Sequence, residues 1–548
     1  MEYFFLVTGR DNTLWIELKR AGIRQVLARS EAAATYMADA YARVTGKPTF
    51  VYGGYGPGAA NVAGAIAEAY WSSSPLIALP STMVRANRHK REYQDLDQKQ
   101  LFAAVTKWGA EVDVVGQVPR LLREATRQAM SGTPGPVYLG IPSDVFEEEV
   151  PNYQEPAPYA TPMVLPLSRP APADADVDAA LDALVKADRP MILAGNGIHQ
   201  SCAYEALRQV AERLAIPIVT SLAGKGSIAE THELAVGAVG RYSRDYANAA
   251  LRGADVVLAI GTGLGGMATD GYKLIAPTAD LIHVTVDSSS IGQNFPTRLG
   301  LAVDAQTFLC ALLDACDRME VSRPERSEYL GNLASAHEGW RDRRTALAGI
   351  DGTNGSPMHP AAVMSVVDEK IAEDAIVVGD TGYAAAWAGA LIDLRAAGRH
   401  FLRADGSLGW AFSGALGAQL AAPEKQVICV IGDGGWGYHV GELETALRLE
   451  LPVVAVVLNN GTLAFEAHVQ SLYYNELVNE VNDFCDVDYG QIARAFGAKG
   501  VRVHTVAELR DALDEGLQRT GPMVIDAMID REAIPPVTRY DTVRTRDL

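Results

Sequence analysis

Cysteine is scarce in this sequence and nowhere paired. Cys202, Cys310, Cys316, Cys429 and Cys485 form neither a CxxC step nor the spacing of a zinc site. That argues against a disulfide framework or structural zinc, and the five read as reduced, mostly buried thiols of a cytoplasmic protein. Long hydrophobic runs are missing too. None approaches the roughly 18 residues a membrane span needs, and the first residues lack the basic stretch and apolar core of an export signal. Positive charge is the third shortage: 48 Lys and Arg stand against 67 Asp and Glu, a net charge of −19. This disfavours nucleic acid and an anionic membrane surface as partners. It leaves room for an anionic small molecule, because a few local cations or a helix N-terminus suffice to hold a phosphate.

What is present is length and alternation. At 548 residues the chain exceeds one core, since single cores stop growing near 250 to 300 residues. Apolar runs such as "TFVYGGYG", "PMILAGNG", "DVVLAIGTG", "AIVVGDTG", "QVICVIGDG" and "PVVAVVLNN" alternate with helical patterns. Continuous apolar strands separated by helices predict parallel sheets covered on both faces. The fold class is α/β, with three doubly wound parallel-sheet domains over 1–150, 171–320 and 355–530. A proline-rich linker over 151–170 joins the first two, a charged, Gly-rich stretch near 318–357 separates the last two, and a polar tail runs over 531–548. The chain opens directly on a strand, "MEYFFLVTG". Either the fold starts there or a preceding helix is lacking.

The segment 430–460 carries the most specific signal. It reads as a strand ending in Gly-Asp-Gly, an amphipathic helix and a second strand ending in Asn-Asn. In parallel sheets, ligands sit beyond the carboxyl ends of strands, where both motifs fall. Gly434 and Gly435 let backbone approach a phosphate at the helix N-terminus, Asp433 carries the charge a hard cation needs, and Asn460 adds an amide oxygen. Mg²⁺ is typically held through a carboxylate plus substrate phosphates. The pattern therefore suits a diphosphate with its Mg²⁺.

Together these motifs resemble the signature of thiamine diphosphate enzymes, and the resemblance extends along nearly the whole chain. "ARSEAAATYMADAYARVTGKP", "GYGPGAANVAGAIAEAY" and "ADGSLGWAFSGALGA" are similar to the acetolactate synthase-like branch, in the order of pyrimidine-binding, middle and diphosphate-binding domains. The resemblance implies that Glu31 hydrogen-bonds the aminopyrimidine and promotes the imino tautomer. It also implies that Gly406 accepts from that ring, that Leu408 wedges under the cofactor, and that Asn61 lies in its Gly-Pro-Gly-x-x-Asn loop. Gly382 and Tyr383 in "GDTGYAAAW" match a second diphosphate-contacting turn, and Thr462 falls where the family gives the metal a backbone carbonyl. Because the family completes its site from two subunits, a homodimer is the implied minimum and a homotetramer the favoured assembly.

The substrate is less legible. "REYQDLDQ" places Gln94 where acetolactate synthases, benzaldehyde lyase and 2-hydroxyacyl-CoA lyases carry an active-site Gln, whereas Thr8-Gly9-Arg10 departs from the Pro-Gly-Gly of acetolactate synthases. In the middle domain "GTGLGG", with Gly263 at its centre, fits GxGxxG, and Asp287 ends the next strand. The pair suits a ribose, or is equally a glycine turn without a ligand. Arg241 and Arg244, with Lys225, resemble the cations that oxalyl-CoA decarboxylases and 2-hydroxyacyl-CoA lyases use beside an adenine nucleotide; as surface cations they need no ligand. The middle domain is thus expected to hold ADP, coenzyme A, FAD or nothing. Glu466 falls where several members place an acid-base residue, and a buried Glu there would have a raised pKa. These features favour a lyase that splits a 2-hydroxyacyl-CoA, such as 2-hydroxyisobutyryl-CoA, into formyl-CoA and a ketone or aldehyde. An acetolactate synthase-like carboligase or decarboxylase on 2-oxoacids is the alternative, and a non-catalytic relative that binds the cofactor is a second. The tail "REAIPPVTRYDTVRTRDL" is a lid over ligand or is disordered.

Overall fold

The computed structural model describes residues 2–150, 163, 165 and 168–535. Most of the expected linker and of the expected tail lies outside the described residues. The chain forms two compact units, Met1–Ser168 with Ala404–Glu424 and Gly437–Val453, and Arg169–Arg403 with Lys425–Trp436 and Val454–Leu548. Its three parallel sheets correspond to the three expected domains, but the first unit also takes in two segments from the third region.

The first unit is built on β1 (Tyr3–Leu6), β2 (Arg24–Leu27), β3 (Thr49–Tyr52), β4 (Leu76–Ala78), β5 (Ser81–Thr82), β6 (Gly109–Glu111) and β7 (Val137–Pro142). They pair in the order β2-β1-β3-β4-β7-β6, with β5 beside the end of β7. Strand β1 is buried along its whole length, as its apolar run predicts for a strand covered on both faces. Helix Glu31–Thr45 starts at Ser30, whose hydroxyl accepts the Ala33 N–H at 3.1 Å, and stops at left-handed Gly46. Its alanines permit close packing against helix Trp410–Ala421, where Gly417 lies so near the Met37 carbonyl that a methyl group would collide.

In the second unit, β8 (Pro190–Ala194), β9 (Ile218–Thr220), β10 (Ala235–Ala238), β11 (Val256–Ile260), β12 (Asp280–Val284) and β13 (Leu299–Leu301) form a sheet ordered β10-β9-β8-β11-β12-β13. The strand succession reverses between β8 and β11, which opens a crevice at their carboxyl ends. A further sheet holds β14 (Ile376–Gly379), β15 (Phe401–Arg403), β16 (Val427–Gly432), β17 (Val454–Asn459), β18 (Lys499–Val503) and β19 (Met523–Met528), in the order β15-β14-β16-β17-β19-β18. Its crevice lies between β14 and β16. The charged segment read as a boundary is mostly one helix, Ser327–Ala348.

The expectation of mostly buried cysteines is corrected: Cys316 and Cys429 are buried, whereas Cys202, Cys310 and Cys485 are exposed. Cys202 is exposed because it caps helix Asn196–Ser201 in a left-handed conformation. Among the described residues no helix is long and apolar enough to cross a membrane.

Candidate active site

Asp433 opens the helix that follows β16, at the crevice of the third sheet. It is only 4% exposed. Its Oδ1 accepts the Gly434 N–H at 2.8 Å and its Oδ2 the Gly461 N–H at 2.7 Å, so one carboxylate ties the Gly-Asp-Gly turn to the Asn-Asn loop. Burial pushes this carboxyl up to about 6 against the opposing pull of those N–H donors. A methyl group on Gly435 would collide with the Asp380 carboxylate, and one on Gly434 would press on Leu463 and Phe484. The turn therefore offers bare backbone. Asn460 Oδ1 accepts the Thr462 N–H at 3.2 Å, and the Thr462 carbonyl accepts from Ala464 at 2.9 Å. A cavity of about 180 Å³ beside this loop is lined by residues that include Asn460, Gly461, Asp483, Phe484 and Arg531.

These residues fit Mg²⁺ and a diphosphate. Among the described residues no three His, Cys, Asp or Glu side chains gather as a metal cluster. A set of one carboxylate, one amide oxygen and backbone oxygens suits a cation that draws its remaining ligands from phosphate and water. At the end of the neighbouring strand β14, Gly382 adopts φ +69° and starts helix Tyr383–Leu391. The Tyr383 hydroxyl lies 2.9 Å from Nδ1 of His468, and its ring packs edge-on against Phe465. Glu466, expected to be buried, is exposed on helix Ala464–Val469. The helix turns its buried face through Ala467 and His468, which leaves Glu466 on its outer side. His468, whose pKa burial lowers, escaped notice in the sequence because a lone His carries no pattern.

In the first unit, Glu31 begins its helix partly exposed. Its Oε2 accepts the Asn61 amide at 3.0 Å, and Oε1 faces Gly58. Gln94 has φ +65°, and its backbone packs on Gly56, so the Gln94 loop touches the glycine loop that precedes Asn61. Buried Glu442 accepts the Arg29 N–H at 2.9 Å and the Thr445 hydroxyl at 2.7 Å, steadying the turn before Glu31. Gly406 is exposed and Leu408 partly so, in the turn ahead of helix Trp410–Ala421.

The middle sheet corrects two expected nucleotide-binding residues. Lys225 and Arg244 are buried at 0% and 1% exposure. Lys225 Nζ donates to Glu230 and, at 2.8 Å, to the Ile392 carbonyl. Arg244 pairs with Asp393 and Glu230 and donates to the Ala390 carbonyl at 3.0 Å. Both cations are taken up by carboxylates that join the middle sheet to the end of helix Tyr383–Leu391. Arg241, by contrast, is partly exposed beside Gly271, and its N–H donates to Met267 just after the Gly263 loop. Asp287 caps its own turn, accepting from Ser289 N–H at 3.0 Å.

The geometry agrees with likeness to known proteins. Three family models match in order: an N-terminal thiamine pyrophosphate-binding domain over 1–101, a central domain over 177–312 and a C-terminal thiamine pyrophosphate-binding domain over 380–527. A probable acetolactate synthase large subunit of Methanococcus aeolicus is 30% identical over 96% of this chain and 90% of its own length. The chain belongs to the acetolactate synthase-like thiamine diphosphate enzymes. Other relatives of this thiamine diphosphate enzyme are the acetolactate synthase isozyme 3 large subunit of Escherichia coli, 30% identical over 91% of this chain and 86% of its own length, and the glyoxylate carboligase of Escherichia coli O157:H7, 28% identical over 94% and 88%.

Proposed function

We propose that the protein is a carboligase or decarboxylase acting on 2-oxoacids. The observation that carries this reading is near-full-length similarity to acetolactate synthases and a glyoxylate carboligase, in a chain that keeps Glu31, Asp433 and Asn460. The burial of Lys225 and Arg244 removes two of the cations on which a coenzyme A reading leaned. Bound thiamine diphosphate supplies a carbon nucleophile and an electron sink. Asp433, Asn460 and the Thr462 carbonyl would hold Mg²⁺, while the side-chain-free backbone at Gly434 and Gly435 and the Gly382–Tyr383 turn would receive the diphosphate. Glu31, whose Oε2 accepts the Asn61 amide, would hydrogen-bond the aminopyrimidine and relay its proton. Gly406 accepts a hydrogen bond, Leu408 shapes the floor, and Gln94 orients the substrate.

A 2-hydroxyacyl-CoA lyase is the second reading. It is favoured by exposed Glu466, accessible for proton transfer beyond the metal loop, and by Arg241 beside the Gly263 loop, with Asp287 at the end of the next strand, as a place for ADP or coenzyme A. The assembly that goes with either is a homodimer at minimum and a homotetramer by preference, testable by solution mass.

Mass-spectrometric product analysis with Mg²⁺ and thiamine diphosphate separates the readings. Pyruvate or glyoxylate yielding CO₂ and a carboligated hydroxyacid supports the first. Formyl-CoA and acetone from 2-hydroxyisobutyryl-CoA support the second. Cofactor binding without turnover of either substrate would sink both and leave a non-catalytic relative.

A further inference from the structure

We propose that Glu68 is the positioning residue of the Gly406 turn, a buried carboxylate that holds the amides on both sides of Gly406 and thereby aims its carbonyl and the Leu408 side chain. The proposal rests on the reading of Gly406 and Leu408 as cofactor-facing, and every residue it invokes lies in the first compact unit.

Glu68 sits in helix Pro57–Trp71, whose neighbouring positions are almost all apolar, and is 3% exposed. A carboxylate there is costly unless its oxygens are occupied. They are. Oε1 accepts the Asp405 N–H, and Oε2 accepts the Ser407 N–H at 3.0 Å. Arg43 Nη2 reaches Oε1 at 3.2 Å. Arg43 is itself fixed: its Nε donates to Asp39 Oδ1 at 3.0 Å, and its guanidinium lies over the Trp410 ring at 4.6 Å. Trp410 Nε1 donates to Asp39 Oδ2 at 3.0 Å, closing the circuit beyond the turn. Ser72 donates to Asp405 Oδ2 at 2.6 Å and steadies the turn's first residue.

This arrangement exploits what a carboxylate alone can do. Both its oxygens accept, so it can take two N–H donors that point the same way; a Gln of equal size must turn its NH₂ toward one of them. With residues 405 and 407 held, the peptide planes around Gly406 have little freedom. The reach is also long: a glutamate of one helix with the serine at that helix's end, an aspartate and an arginine of a second helix, and an indole of a third fix a three-residue loop.

The experiment is hydrogen–deuterium exchange on the cofactor-free protein, with thiamine diphosphate titration alongside. In Glu68→Gln the amide of Asp405 or of Ser407, whichever meets the NH₂, should exchange at least about tenfold faster, and the cofactor concentration for half-saturation should rise about tenfold, the scale of one lost charge-assisted hydrogen bond. Amides within helix Trp410–Ala421 should keep their wild-type rates, which a general loosening would not allow. Unchanged exchange at 405 and 407 in folded Glu68→Gln overturns the proposal. Should that variant not fold, Ser72→Ala is measured instead: faster exchange at Asp405 supports the clamp and an unchanged rate overturns it. If exchange responds but wild-type protein binds no thiamine diphosphate, the clamp stands and the proposed function falls.

Discussion

The first and third sheets run their strands in the same order, β2-β1-β3-β4-β7-β6 and β15-β14-β16-β17-β19-β18, yet their crevices are filled differently. In the third sheet the ends of β14 and β16 lead into Gly382 and into Gly434–Gly435, leaving glycine backbone with the carboxylates of Asp380 and Asp433 beside it. In the first sheet the matching strands are β1 and β3, and the protein's own side chains close the space between them. The Tyr52 hydroxyl presses on Gly9, donates to buried Asp11 Oδ2 at 2.6 Å and lies 3.2 Å from Ser81 Oγ. The group proposed to handle the proton, Glu31, lies instead at the start of the helix after β2. Shared topology nominates a crevice; the residue at the strand end decides whether a ligand or a tyrosine occupies it.

The comparison breaks most visibly at Asp433. Asp433→Ala should abolish Mg²⁺-dependent retention of thiamine diphosphate and lower turnover by at least about 10³-fold, since a positioned metal and cofactor supply most of the rate; calorimetry and steady-state kinetics check this. Glu31→Gln should lower turnover by about 10² to 10⁴, the range of a lost general acid-base group, while cofactor affinity measured by fluorescence quenching changes little. Equal losses of affinity in both variants would erase the distinction between a holding half and a proton-handling half. Tyr52→Phe should leave cofactor binding intact and destabilise by about 1–3 kcal/mol in denaturant titration, because Asp11 stays buried without its donor.

A further effect is that of pH. Burial depresses His439, in the first unit, to about 4, below the ordinary value near 6.5. Below pH 6.5 the unfolded chain takes up the proton first. Stability is therefore lost as pH falls from about 6.5 toward 4, and unfolding temperature should follow it down. His439→Gln should flatten part of that slope. A slope unchanged by the substitution would assign it to the other depressed histidines, such as His468 in the second unit.

Local chemistry was legible in the sequence, and long-range partnership was not. The segment 430–460 is a single βαβ unit, so its residue spacing already contains the crevice geometry, and Glu31 is marked by the motif around it. Lys225 and Arg244 read as ligand-binding cations because a sequence displays charge without its partner; Glu230 and Asp393 supply the partners through the fold. Glu466 misled because a helix of six residues leaves the facing of any one side chain open until its neighbours are known. Helix Ser327–Ala348 escaped notice because it buries only Trp340, too little to produce an apolar period. Glu68 and Glu442 were invisible for the opposite reason: each is an ordinary helical glutamate whose meaning lies in backbone hundreds of residues away.

The makeup of the first unit has a consequence for how the protein is synthesised. Helices Trp410–Ala421 and Glu442–Arg448 belong to it, so the ribosome releases the first sheet long before the segments that cover it exist. Until about residue 453 has emerged, helix Glu31–Thr45 must expose a bare alanine-lined face to solvent, whereas nascent domains otherwise close one after another. Chaperone occupancy on the growing chain should therefore persist through translation of the middle domain. A fragment ending near residue 150 should aggregate even though it contains a complete sheet.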